Sequence, residues 1–171
     1  MSTSPSSTLV DRDGAVRNDP WLFLSDEPIP SAGDIVVPLA RAEEAARLNR
    51  RGRLGVRVAP ADQVEALQPI LKKVALVAVD FPAFRDGRGF SSARLLRDRF
   101  DFKGELRATG AVLEDQIFYL IRCGFDSFEV ATPHAEAAVA SAARTYSLAY
   151  QAASDAREPV FRRRLAQRTD Q

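Results

Sequence analysis

Five short apolar runs, beginning near residues 35, 54, 75, 105 and 127, constrain the fold of this chain more than any other feature. They are "DIVVPL", "LGVRVA", "ALVAVD", "GELRATG" and "SFEVA". Runs this short, mostly rich in β-branched residues, predict strands rather than buried helices. Stretches with helical spacing lie between them, so the strands recur about every 20 to 29 residues. Parallel neighbours need such a crossover, whereas antiparallel ones can be joined by a hairpin. The pattern predicts an α/β fold of successive βα units, with a parallel sheet and right-handed crossovers. The sheet is either open or part of a barrel, half TIM-barrel-like. A full eight-fold barrel takes roughly 250 residues, and the chain has 171.

The intervening segments predict the helices. "ARAEEAARLNRRG" is stopped by Gly52, and "ADQVEALQPILKKV" is broken or kinked by Pro69. "SSARLLRDRFDF" and "LEDQIFYLIRCG" are two more. The second has Leu113, Ile117, Leu120 and Ile121 along one face and Gly124 as its stop. Pro133 opens a long alanine-rich helix, "PHAEAAVASAARTYSLAYQAA". "WLFL", Trp21 to Leu24, suits an edge strand or a docking segment. Residues 1–20 are Ser/Thr/Pro-rich and then polar, which predicts a mobile tail. That leaves one α/β domain over 21–153 and a polar C-terminal tail over 154–171.

Charge and rare residues bound the function. With 24 basic and 23 acidic residues, the net charge of +1 gives no global case for nucleic acid or an anionic membrane. Neither a signal-peptide layout nor an apolar window near eighteen residues is visible, so the expected location is the cytoplasm. One cysteine, Cys123, excludes an internal disulfide, a dithiol pair and a multi-cysteine zinc site. Its place near the end of a striped helix predicts a structural role. The single histidine, His134, excludes a His-rich metal site and is expected to face solvent at a helix start.

The densest charge lies in "DFPAFRDGRGFSSARLL", a strand-to-helix turn at the carboxyl end of a strand, where α/β domains gather ligands. Gly87 and Gly89 are expected to reach positive φ and let a ligand approach the backbone. Ser91 is the expected helix cap, which puts Arg94 in the first turn. Free amides with Arg88 and Arg94 would receive an oxyanion, with Asp86 orienting an arginine. The competing reading is an Arg/Asp network that only stiffens the loop. No GxxxxGK[ST] or GxGxxG is present, so neither nucleotide fingerprint applies.

A second constellation lies on the strands. Glu105 and Arg107 are two apart and face the same side. Charges on a central strand are costly unless paired. Asp80, Glu105, Arg107 and Glu129 therefore form either a structural ion-pair cluster or a polar pocket. The three carboxylates, on successive strands, could instead converge on Mg²⁺, although no independent feature supports a metal. No residue is assigned a catalytic role and no cofactor is expected.

"DFPAFRDGRGFSSARLLRDR", "GELRATG" and "DQIFYLIRCGFDSFEV" together resemble a bacterial family of unknown function whose members carry an oxidoreductase label tied to sulfite reduction. The resemblance spans about residues 34–150. The family's recurrent residues fall at Asp80, Phe81, Pro82, Asp86, Gly87, Arg88, Gly89, Arg97, Glu105, Arg107, Asp115, Gln116, Cys123 and Gly124. One departure is Ala111 after Gly110, where members often carry an acid. The resemblance implies a place in assimilatory sulfate and sulfite reduction. It also implies a partner, the sulfite reductase haemoprotein or another sulfur-assimilation enzyme. A redox protein needs an electron carrier, and a lone cysteine supplies none. The expectation is thus an accessory protein that binds a sulfur oxyanion or the reductase. The alternatives are a metal-assisted or cofactor-free enzyme using the carboxylate/arginine pocket, and a structural or regulatory protein. Analogy with half-barrel units suggests a homodimer.

Overall fold

The computed structural model describes residues 7–83, 85–132, 134–145 and 154. Its strands are β1 (Thr8–Asp11), β2 (Leu22–Phe23), β3 (Ile35–Pro38), β4 (Leu54–Val58), β5 (Val74–Phe81), β6 (Glu105–Val112) and β7 (Ser127–Val130). Its α-helices are α1 (Ala42–Arg47), α2 (Arg88–Arg94), α3 (Ile117–Arg122) and α4 (Ala135–Thr145). The strands form one seven-stranded sheet in the order β1-β7-β6-β5-β4-β3-β2, curled into a half-barrel. The five expected strands are β3 to β7, and each pairs in parallel with its successor. β2 adds a parallel edge strand.

Three expectations need correction. The segment read as a tail contains β1, which pairs antiparallel to β7 with Leu9 opposite Glu129. Only four residues long, "TLVD" gains its order from that distant partner. The fold is therefore mixed α/β, mostly parallel with one antiparallel strand. The βα rhythm is also irregular. Between β4 and β5 the expected helix is two 3-10 turns, Val64–Leu67 and Leu71–Lys73, because Pro69 between them cannot donate to a helical ladder. Finally, Leu113 leaves the apolar stripe of α3 and is exposed, whereas Ile117, Leu120 and Ile121 are buried as expected. Cys123 is half-buried and packs against the core. The C-terminal tail and the end of the alanine-rich segment lie outside the described residues, Ser154 excepted.

Strand order decides where a site can be. Parallel strands in sequence order with right-handed crossovers put every crossover on the same face. Residues of all four helices accordingly share one core with Ile35, Val37, Val56, Val77, Val79, Leu106 and Phe128. A strand alternates faces, so Val36, Leu76 and Ala78 point the other way and form a small separate cluster with Trp21. That face, the concave one, carries no helix among the described residues.

A π-helical turn, Leu95–Arg99, follows α2 and turns Arg97 inward. Arg97 Nε donates to Gly124 O at 2.9 Å, and Nη1 donates to Phe102 O at 2.5 Å and Gly104 O at 3.0 Å. Nη2 pairs with Asp126 Oδ2, which also accepts Leu106 N at 2.9 Å. Gly124 has φ +94°, and a Cβ there would lie 2.7 Å from Arg97 Cγ. Arg97 thus ties the π turn, the start of β6 and the α3–β7 turn together.

Candidate functional site on the concave face

The charged turn is built differently from the sequence expectation. Helix α2 starts at Arg88, four residues earlier than a Ser91 cap requires. Gly87 is the cap residue, at φ −84°, with no side-chain cap bond. Asp86 causes the early start: its Oδ1 accepts Arg88 N at 3.2 Å and Arg88 Nε at 2.9 Å, and its Oδ2 accepts Nη2 at 2.7 Å. Arg88 is held bidentately by its own turn, and this pairing keeps the Asp86 carboxyl below its ordinary range. Ser91 lies inside the helix and is exposed. Arg94 sits in the last turn, paired with Asp98. Gly89 is needed for packing, since a Cβ there would lie 2.6 Å from the Phe81 ring. The structure therefore brings Asp86, Gly87 and Arg88 together and leaves Ser91 and Arg94 outside that group.

The second constellation does assemble. Alternation puts Asp80, Glu105, Arg107 and Glu129 on the concave face of three consecutive strands. Arg107 is 1% exposed, in the middle of the sheet. Its Nε and Nη2 donate to Glu105 Oε1 at 3.1 and 3.0 Å. Ser127 Oγ donates to the same oxygen at 2.7 Å. Nη1 donates to Asp19 Oδ2 at 2.8 Å and stands 3.9 Å from Glu129. A buried guanidinium in this setting needs counter-charge, and Asp19 and Glu105 supply it.

Asp80 stands apart from that tight cluster and Glu129 lies at its rim, near the carboxyl ends of β5 and β7. Burial pushes the Asp80 carboxyl above its ordinary value, with Arg57 pulling it down. Burial also raises Glu129; Arg107 opposes the rise, while Asp19 and Asp80 add to it. A carboxyl raised in the folded state keeps its proton where the unfolded chain has lost it. Its contribution makes folding less favourable as pH rises from its ordinary value through its folded value. Asp80→Asn should therefore be neutral or stabilising at pH 7, with that advantage fading as pH falls toward the ordinary 3.8. Denaturant melts across that range check the sign. Among the described residues, no three His, Cys, Asp or Glu side chains are grouped to hold a metal ion, so the carboxylate trio does not converge.

The N-terminal segment supplies the parts that sequence reasoning missed. Asp11 Oδ1 accepts Asp13 N and Ala15 N at 3.0 and 2.9 Å, and its Oδ2 accepts Arg17 Nε at 2.8 Å. This turn folds Val16 back beside Val10 on the β1 edge. The chain then crosses the concave face to β2, on the opposite edge. A flat seven-stranded sheet has six gaps of about 4.8 Å, or about 29 Å. The five steps from Arg17 to Leu22 reach at most about 18 Å. The connection is possible because the sheet curls, and it lies across the half-barrel as a strap. Beneath it is a cavity of about 310 Å³ lined by Arg17, Trp21, Arg53, Glu105, Arg107 and Ser127, among others. Arg53 lies 4.7 Å over the Trp21 ring and pairs with Asp34 at 2.7 Å. The available signal was the alternating charge of "DRDGAVRND", together with the need of Arg107 for a partner. His134 is exposed, as expected.

Among curated proteins, none matches this chain. The family described as "Bacterial protein of unknown function (DUF934)" matches residues 55–161, which hold β4 but for its first residue, β5 to β7 and the charged turn, but not the strap. The chain belongs to that family.

Proposed function

We propose that the chain is an accessory protein of sulfite and sulfate assimilation that binds a small sulfur oxyanion on its concave face. One observation carries the binding half of this reading: Arg107, 1% exposed, sits on the helix-free face beside a cavity that two further arginines line. The guanidinium can give an oxyanion a charge-assisted hydrogen bond from Nη1. The turn at Asp86–Arg88 supports anion binding less well, since Arg88 is exposed on its own turn and its Nε and Nη2 are both held by Asp86. The sulfur context rests on the resemblance of the DGRG, GELR and RCGFD segments. On this reading the protein works in the cytoplasm beside the reductase it serves. No helix among the described residues is long and apolar enough to cross a membrane.

Calorimetric titration with sulfite and sulfate, against chloride at equal ionic strength, tests the site. Arg107→Lys keeps the charge but cannot hold Glu105 and a ligand at once in the guanidinium geometry, and should weaken binding by about tenfold or more. Arg88→Ala should leave affinity and melting temperature nearly unchanged, because its pair is exposed. The reverse result would move the site to the turn, and no binding by the wild type would end the oxyanion reading.

A second reading is supported by the raised carboxyls of Asp80 and Glu129. Two half-buried acids at strand carboxyl ends could move protons in a cofactor-free enzyme. Carboxyl-carbon NMR titration decides whether they are suited to it. Values in the ordinary range would leave this reading without an acid.

A further inference from the structure

We propose that the strap gates the arginine site, and that Asp19 is an internal competitor which an entering oxyanion or carboxylate must displace from Arg107. The inference deepens the proposed function and rests on its placement of the anion at Arg107.

The two sides of the Arg107 guanidinium differ. Nε and Nη2 are held by Glu105, two residues away on the same strand and itself fixed by Ser127. On that side the partner is fixed by its place on β6 and by the Ser127 hydroxyl. Nη1 is held by Asp19, which comes from a segment 88 residues distant in sequence. The strap has few other fastenings at this point. Among the described residues, Asn18, Asp19 and Pro20 make no backbone–backbone hydrogen bond. Proline has no N–H to give, and all three residues are exposed. The nearest tether is local, from Trp21 N to Asp19 Oδ1 at 3.2 Å. Segments with exposed backbone and few buried contacts open at low free energy. The strap is anchored at its two ends, by Arg17 N on Leu9 O and by Leu22 N on Asp34 O, both at 2.9 Å. Asp19 can therefore leave Arg107 while both ends stay in place.

The chemistry of the competitor names the ligand class. Asp19 offers Arg107 a carboxylate oxygen, so the displacing group must offer an anionic oxygen in the same position. The cavity beneath the strap, about 310 Å³, suits a small ligand. Arg17 and Arg53 line it as well, and both are bound to carboxylates, Asp11 and Asp34. A closed strap lowers apparent affinity by the fraction of molecules that are open. The strap then acts as a threshold, so that only a ligand with more to offer than one oxygen displaces it.

The test uses the full chain with sulfite, sulfate and acetate as probes. Asp19→Asn keeps the shape of the side chain and removes its charge. It should tighten binding of the preferred probe by about tenfold or more. Trp21, the single tryptophan, gives a second readout on the wild type. It adjoins Asp19 and is buried, so strap release should change its emission and raise its quenching by acrylamide as the probe binds. Equal affinities for wild type and Asp19→Asn overturn the gate, and if Arg107→Lys still weakens binding they leave the proposed function standing. If neither protein binds any probe, both readings fall. Should Asp19→Asn fail to fold, the wild-type signal decides: a probe that binds without altering Trp21 overturns the gate.

Discussion

Arg97→Ala should destabilise the protein by about 3–5 kcal/mol, the range for removing one partner of a buried ion pair. A domain of this kind has about 5–15 kcal/mol in total, so the variant should be largely unfolded at mild denaturant concentrations. The size of the effect follows from the number of groups orphaned together. Gly124 O, Phe102 O and Gly104 O lose their Arg97 donors, and Asp126 loses its counter-charge while still bound to Leu106 N. Asp126 is partly exposed and water can reach it, which places the expectation at the lower half of the range. Arg97→Lys should recover little, because one ammonium does not replace a fork that reaches three carbonyls and a carboxylate. An Arg97/Asp126 double-mutant cycle by urea melts should show coupling above about 0.5 kcal/mol. A loss below about 1 kcal/mol for Arg97→Ala would show that the π turn is held mainly by Leu96 and its apolar neighbours.

The same arginine illustrates what the sequence made legible. The five central strands are readable because each is a short apolar run whose burial is decided locally. Glu105 and Arg107 are readable as one face because a strand alternates. The strap is not, since Asp19 acquires its role from a residue 88 positions away. β1 is hidden for a related reason: "TLVD" has little intrinsic order until it pairs with β7. The charged turn misled in a different way. Ser91 is a good cap in isolation, but Asp86 closes on the Arg88 amide and nucleates the helix earlier. Several of the residues that carry the sequence resemblance prove to be architectural. Arg97 and Gly124 meet at a junction, Gly89 makes room for Phe81, and Asp86 restrains Arg88.

Arg107→Ala should also cost about 3–5 kcal/mol at pH 7, with a dependence on pH that comes through Glu129. Removing the guanidinium leaves Asp19, Glu105 and Glu129 facing one another across the middle of the sheet without counter-charge. Glu129 is already raised by burial, and Arg107 is the group that pulls it down. Its loss raises Glu129 further. The folded mutant then holds protons that the unfolded chain has released, so its stability falls as pH rises through that raised value and recovers as pH drops toward the ordinary 4.5. The gap between wild type and Arg107→Ala should narrow between pH 7 and about 5. Adding Glu129→Gln to Arg107→Ala should recover part of the loss at pH 7 and little of it at pH 5. A gap that stays constant with pH would mean that water enters the space Arg107 leaves and hydrates the carboxylates. In that case the strap would be open in the mutant, with Trp21 quenched more readily than in the wild type.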